Sequence, residues 1–278
     1  MRASAPASSG NLGPGFDVLG LALDLRCVVE AEPSGRMTVD DGEGPFELRP
    51  GDMLFDVVEA AVGKPMALQV TNASPRARGL GSSSAVTAAA AAAALRAAGT
   101  EPDRQVVYEI VAGVEGHGDN AAPAVWGGLM AVGSDGPHRL EMNEDLIPVV
   151  GIPDRPLSTK RARTVLPETV PLSAAVGNVA RAVLLVEALR TGDATAFAAA
   201  AGDEFHESQR GSLSPITGRL MEAARAAGAL HAAWSGAGPT ALALAVAGTE
   251  HAVVAAMTAA MGDAGSVKIL SVDYDGLR

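Results

Sequence analysis

Aromatic residues are scarce in this 278-residue chain: Phe, Trp and Tyr together make up 3% of it. A core must therefore be packed mainly from Ala, Val and Leu, and 48% hydrophobic residues are enough for two domains or one large one. Cysteine is nearly absent. Cys27 has no partner, which excludes an internal disulfide and a cysteine metal knot, and it reads as a small residue of an apolar strand. Lysine occurs only as Lys64, Lys160 and Lys268, and the formal charge is −11. That balance argues against a nonspecific nucleic-acid binder, which needs basic surface to neutralise phosphates. A local arginine cluster can still take a small anion. The opening MRASAPASSGNLGPGF lacks the continuous apolar segment of a signal peptide, and Arg96 interrupts the alanine tract after Ser84. That tract is short of the ~18 residues of a membrane span. The expectation is a soluble, cytoplasmic protein with neither membrane nor nucleic acid as partner.

Residues 18–32, VLGLALDLRCVVEAE, predict one strand or two with a bend, and short strands are expected around Val39 and Leu68. A helix fits 53–62. From Ser83 to Ala98 alanine dominates, with Gly99 as a stop and Pro102 beyond, which predicts a helix. Asp103 is a good N-cap for another, to about Val114. GGLMAV and LIPVVGIP follow as strands. Helices are expected at Leu172–Arg190, Ala194–Ala200, Pro215–Ala227 and Glu250–Met261, and strands at LHAAWS, PTALALAV and VKILSVD. The second half thus reads as an α+β layer, with a boundary near 145–150.

The most chemically loaded stretch is PRARGLGSSSAVTAAAAAAAL, Pro75 to Leu95. A glycine-rich turn feeding a helix N-terminus makes an anion site, because free N–H groups and the helix dipole both favour negative charge. Serine hydroxyls can add donors or ligate Mg²⁺. Taken alone, a capped helix with Ser82 or Ser83 as N-cap fits equally well. A serine nucleophile is the remote third reading, since GSSSA is separated from its strand by Asn72–Arg78. No G-K-[ST] occurs, so this is not a Walker A loop.

Two more glycine-rich blocks, SSGNLGPGFDVLGLAL and WSGAGPTALAL, tip the balance. Together the three resemble the GHMP small-molecule kinases, a family that includes galactokinase, homoserine kinase, mevalonate kinase and phosphomevalonate kinase. Its P-x-x-x-G-L-G-S-S phosphate loop is matched from Pro75 to Ser83. NLGPGFDVLGLAL, EGHGDNAAPAVWGGL, LSTKRARTVLP, DEFHESQR and SGAGPTALAL, spread from residue 9 to about 245, resemble the branch of that family that acts on homoserine.

The resemblance implies an α+β, two-domain GHMP-kinase architecture. Residues 1–145 would form an ATP- and phosphate-binding domain resembling ribosomal protein S5 domain 2, and 146–278 a ferredoxin-like domain, with the active site between them. It implies ATP and Mg²⁺ as cofactors, L-homoserine as the small-molecule substrate, and a homodimer. ATP would be bound by Pro75, Arg76, Ala77, Arg78, Gly79, Leu80, Gly81, Ser82, Ser83, Ser84 and Ala85, with Met66 to Thr71 and the following loop as candidates for the adenine pocket. Mg²⁺ would be held by Ser83 and by Glu115 or Glu109.

The substrate offers a carboxylate, an ammonium and a hydroxyl. Arginine suits the first, because its guanidinium is a planar fork of donors, and Arg163 and Arg210 match the family's carboxylate ligands. Asp17 suits the ammonium. Asn120, with Asn11 nearby, would orient the hydroxyl, and His117 and Asp119 would shape the same loop. Asn120, Arg163 and Asp119 are the candidate catalytic residues. No well-placed general base can be read; the resemblance implies transfer without a dedicated carboxylate base, with Asp119 as the alternative. Two departures stand out: Gly10 replaces a usual alanine, and Gly118 replaces a proline, which should loosen its loop. The rivals are a related kinase for another small alcohol and a catalytically silent nucleotide-binding regulator.

Overall fold

The computed structural model describes residues 1–278. The first half carries β1 (Arg2–Gly10), β2 (Leu19–Pro33), β3 (Thr38–Asp40), β4 (Phe46–Glu47), α1 (Met53–Val62), β5 (Met66–Asn72), α2 (Ser82–Ala97), α3 (Arg104–Glu115), α4 (Ala121–Trp126), β6 (Leu129–Gly133) and β7 (Gly136–Leu140). The long β2 organises it. One edge of β2 pairs antiparallel with β1, from Arg2↔Glu30 to Gly10↔Gly20. The other edge serves two strands in turn, β6 at Leu19–Leu21 and β5 at Cys27–Pro33. The resulting sheet runs β4–β3–β5–β2–β6–β7, with β1 beside β2.

Helix α2 lies against β1 and β2 and is enclosed by α1, α3 and α4. Every alanine from Ala88 to Ala94 is fully buried. A helix apolar on all sides belongs inside a core, and methyl side chains let five elements approach it at once. Larger residues there would overpack, at a cost of about 1–3 kcal/mol each. The alanine tract is thus the centre of a core rather than an amphipathic surface helix.

The second half carries β8 (Leu146–Pro153), α5 (Thr159–Arg163), α6 (Leu172–Thr191), α7 (Ala194–Ala199), α8 (Glu207–Arg210), α9 (Pro215–Ala226), β9 (His231–Trp234), β10 (Ala241–Val246), α10 (Glu250–Met261) and β11 (Gly265–Ile269). Its antiparallel sheet runs β11–β8–β10–β9. With α9 and α10, these strands follow the β–α–β–β–α–β order of the expected ferredoxin-like unit, with α5 to α8 inserted after β8. Leu220, Met221, Val253 and Met257 of α9 and α10 fill one face. The other face meets Leu21, Leu23 and Leu129 of the first sheet, together with Leu185, Leu189 and Phe197 of α6 and α7, so the two halves share a core.

Besides β1, two features were not anticipated. By length and composition α6 could cross a membrane, yet Leu185, Ala188 and Leu189 bury one of its faces in the shared core. The last residues also return to the first sheet: Val272 bridges Leu23, Leu277 donates its N–H to the Val125 carbonyl, and Ser4 and Arg278 exchange backbone hydrogen bonds. Asp273 there pairs with Arg26 of β2.

Candidate active site

The first intrahelical bond at the start of α2 is Ala85 N–H to the Gly81 carbonyl, so the N–H groups of Ser82, Ser83 and Ser84 have no acceptor in the preceding turn. Gly81 itself is the N-cap, at φ 56°, and no side chain caps the helix. The serines therefore do not serve as the N-cap. Ser82 Oγ accepts from Asn72 Nδ2 at 2.7 Å and turns inward, Ser84 Oγ donates to Glu115 Oε2 at 2.5 Å, and Ser83 is exposed. No histidine meets any of the three hydroxyls, so the Ser–His pair of a serine hydrolase is not formed.

Gly79 is at φ 75°, and a Cβ there would overlap the Ser235 carbonyl. Glycine is needed for both reasons: the backbone is left-handed and the C-terminal glycine block lies directly behind it. Ser235 Oγ donates to the Gly79 carbonyl at 2.6 Å. Gly236 is the hub of the contact. Its N–H donates to the Gly10 carbonyl at 2.9 Å, and its own carbonyl accepts from Asn11 Nδ2 at 2.8 Å and Arg210 Nη1 at 3.0 Å. The three glycine-rich blocks thus meet at one point.

Around that point lies a cavity of about 340 Å³. Asn11, Asp17, the segment from Ala77 to Ser84, Glu115, His117, Asp119, Asn120, Arg163 and Arg210 all line it. Pro75, Arg76, Ala85 and Glu109 do not. Arg76 pairs with Asp41 at 2.8 Å, Ala85 is buried in the core, and Glu109 is exposed on α3, where it accepts from Gln105 Nε2. Arg78 spends its guanidinium on the carbonyls of Arg76, Pro153 and Asp154. The stretch from Met66 to Thr71 also stays outside this cavity: Met66, Leu68 and Val70 of β5 face the core, and Gln69 and Thr71 are exposed.

The acceptor end is built from charges. Arg163, at the end of α5, donates from Nη1 and Nη2 to the two Asp17 oxygens at 3.0 and 2.8 Å. That bond holds the guanidinium above its ordinary range. Arg210 is 1% exposed, and burial first, then Arg163, bring its pKa down to about 10, so it stays charged at neutral pH. The guanidiniums of both arginines sit over the Phe16 ring, at 5.7 and 5.5 Å from its centroid. Asn11 Oδ1 accepts from the Asp17 N–H at 3.0 Å, so both ends of its amide are committed to fixing the loop.

Asp119 is 3% exposed, and both its oxygens are engaged. Oδ1 lies 3.0 Å from His117 Nδ1, and Oδ2 accepts from Asn120 Nδ2 at 3.1 Å. The bond to Asp119 is the main reason the His117 pKa is raised. Asn120 Oδ1 accepts from Ser8 Oγ at 2.9 Å. A Cβ at Gly118 would press on the Tyr108 hydroxyl, so a proline there would require that ring to shift. The His117–Asp119 bond spans that glycine. A Cβ at Gly10 would crowd Asp119 and Asn120.

The donor set at Glu115 fits a hard cation. Burial pushes its carboxyl up, offset in part by the Ser84 and Ser83 hydroxyls, and Oε1 is buried with no hydrogen-bond partner. Oxygen ligands with an orphaned carboxylate oxygen on the phosphate side suit Mg²⁺, which takes few protein ligands. Sequence reasoning missed Phe16, Met53, Thr159 and the hub role of Gly236. Only Phe16 left a signal, as an aromatic beside Asp17 in an aromatic-poor chain.

A phosphate cradle and a charged acceptor pocket in one cavity between a first sheet and a ferredoxin-like unit define an ATP-dependent small-molecule kinase. The family models agree: "GHMP kinases N terminal domain" matches residues 52–128 and "GHMP kinases C terminal" matches 185–264, and the chain belongs to the GHMP kinase family. Within that family its similarity is to the homoserine kinases. Homoserine kinase of Thermus thermophilus is 40% identical over 98% of this chain and 96% of its own length. That of Moorella thermoacetica is 37% identical over 94% and 92%. The crystal structure of homoserine kinase from Cytophaga hutchinsonii superposes with a TM-score of 0.87 at 25% identity, covering 100% of this chain and 96% of that one.

Proposed function

We infer that this chain transfers the γ-phosphoryl group of ATP to the side-chain hydroxyl of L-homoserine, giving O-phospho-L-homoserine for threonine biosynthesis. The observation that carries the acceptor assignment is the alternation of Arg163, Asp17 and Arg210 around Phe16. One carboxylate between two guanidiniums is complementary to an amino-acid zwitterion. A hydroxy acid without an amine would leave Asp17 with no cationic group of the substrate to bind. Arg210 and Arg163 take the carboxylate, Asp17 takes the ammonium, and the hydroxyl is directed toward Asn120.

Phosphoryl transfer asks mainly for positioning and charge stabilisation. The N–H groups of Ser82, Ser83 and Ser84 hold the phosphates at the positive end of α2. Ser83 Oγ and Glu115 would hold Mg²⁺, which when bound neutralises charge on the phosphate oxygens. Asn120 orients the attacking hydroxyl, and Asp119 holds Asn120 and His117 in place. With both oxygens of Asp119 hydrogen-bonded, the reading needs no carboxylate base, in keeping with a loose transition state.

We divide the chain into domains at 1–145 and 146–278, with the last eight residues seated on the first, and take it to act in the cytoplasm. A homodimer completes the reading. Leu172, Val176, Val179 and Val183 of α6 are exposed at the 4-3-4 spacing of a helix-pairing seam, with Arg181, paired to Glu204, the one charge in that span, and a second copy supplies a matching seam. ADP release from Mg·ATP with L-homoserine, L-threonine, L-serine, mevalonate or no acceptor tests the function. Turnover dependent on homoserine supports it. Activity with another alcohol alone would discard the substrate, and silence with all acceptors in a sample that binds ATP would favour a regulator.

A further inference from the structure

The loop from Asn11 to Asp17 belongs to the first sheet, but it is held from the second half of the chain. His231 Nε2 donates to the Leu12 carbonyl at 3.1 Å, His206 Nε2 to the Gly13 carbonyl at 3.0 Å, and Asn178 Nδ2 to the Pro14 carbonyl at 2.8 Å. Three consecutive carbonyls are thus each taken by a different element: β9, the entry to α8, and α6. The donors are 6%, 0% and 2% exposed. Asn11, Leu12 and Asp17 sit at φ 70°, 54° and 56°. Non-glycine residues rarely adopt that region, so contacts impose the loop conformation rather than local preference.

His206 makes one further bond. Its Nδ1 accepts from Arg210 Nη1 at 3.1 Å. With the proton on Nε2, the imidazole is a neutral link having one donor and one acceptor, between the Asp17 loop and the Arg210 guanidinium. Four groups face it. Arg210 follows one turn later, Asp203 Oδ1 lies 3.8 Å from Nε2, Asp17 lies across the pocket, and the Phe16 ring centroid is 5.1 Å away. Asp203 Oδ2 is committed to the N–H groups of Phe205, His206 and Glu207, which fixes the backbone that carries the ring. Burial and Arg210 disfavour a second proton, Asp203 and Asp17 favour one, and burial prevails.

We propose that His206 is a positioning residue that couples the two charges of the acceptor pocket, setting the Asp17 loop through the Gly13 carbonyl and Arg210 through Nδ1, with His231 and Asn178 completing the clasp. The proposal rests on Asp17 and Arg210 as ligands of the substrate's ammonium and carboxylate. A second proton on His206 would turn Nδ1 into a donor aimed at a guanidinium. The acceptor pocket then loosens in acid, while the phosphate cradle, built from the backbone of residues 79–84, does not depend on it. Acidification raises the KM for homoserine before it raises the KM for ATP.

Two substitutions divide the role. His206→Gln keeps a donor near Nε2 and removes the acceptor for Arg210, whereas His206→Asn keeps an acceptor near Nδ1 and does not reach Gly13. Steady-state kinetics over about pH 5.5–8 should show homoserine KM raised roughly tenfold in each, with ATP KM within about twofold of the parent. The acid rise of homoserine KM seen in the parent should be missing from both. Asn178→Ala should raise homoserine KM and keep the acid rise. Unchanged homoserine KM, equal rises for both substrates, or an acid rise that persists in both His206 variants overturns the proposal. If the parent does not turn over homoserine at all, the substrate reading fails, and amide hydrogen exchange over residues 11–18 judges the clasp. Faster exchange in His206→Asn supports it, and unchanged exchange overturns it.

Discussion

The two ends of the cavity are made of different material. The phosphate end is backbone: Gly79 and Gly81 in left-handed conformations, three free N–H groups, and a glycine block packed directly behind. The acceptor end is side chain: Asp17, Arg163, Arg210 and Asn120, assembled from four elements and held by buried polar contacts. A backbone cradle binds any phosphate of the right size, as a family that phosphorylates many alcohols requires. Side-chain charges carry the choice of alcohol.

The sharpest way to break this contrast is Arg210→Ala. It removes a buried charge from the acceptor end, and homoserine KM should rise about 100- to 1000-fold while ATP KM changes little. Parallel losses for both substrates would mean that the ends are not separable. Glu115→Gln should do the reverse. A fall in kcat on the order of a hundredfold and a higher Mg²⁺ requirement are expected, with homoserine affinity kept, as measured by kinetics at varied Mg²⁺.

The smallest effect concerns the hinge between the ends. The pKa of His117 is raised, chiefly by its bond to Asp119. Stability from that pair is therefore complete below the unfolded value of about 6.5 and lost as pH rises through the folded value. Melting temperatures of the parent and His117→Gln should differ by about one or two degrees in acid and converge in alkali. A difference that grows with pH would reverse the sign of the pairing.

The same contrast governs what could be read in the sequence. The phosphate end became legible only beside two further glycine-rich blocks, since alone its glycines and serines read equally well as a capped helix; α2 itself appears where the alanine tract placed it. The acceptor residues were legible only as a set of motifs, and the pocket brings together Asp17, Arg163, Arg210, His117, Asp119 and Asn120. Strand β1 escaped notice because RASAPASSG lacks the β-branched residues that mark strands; its small side chains make room for α2. The adenine candidates, Met66–Thr71 and the loop after them, were legible only through resemblance; alternating burial puts Met66, Leu68 and Val70 in the core and leaves Gln69 and Thr71 exposed. The choice between Glu115 and Glu109 was equally closed to the sequence, since it depends on which face of α3 meets Ser84. The donors at Leu12, Gly13 and Pro14 were invisible for the same reason: they lie more than 160 residues away.

The most direct measurement compares L-homoserine with 4-hydroxybutyrate, which has the same hydroxyl and carboxylate but no amine, in the parent and in Asp17→Asn. If Arg163, Asp17 and Arg210 read a zwitterion, the parent should prefer homoserine by about 100-fold or more in kcat/KM. Asp17→Asn should collapse that preference mainly by losing activity on homoserine. A preference that survives Asp17→Asn unchanged would contradict the account, because the ammonium would then be read elsewhere.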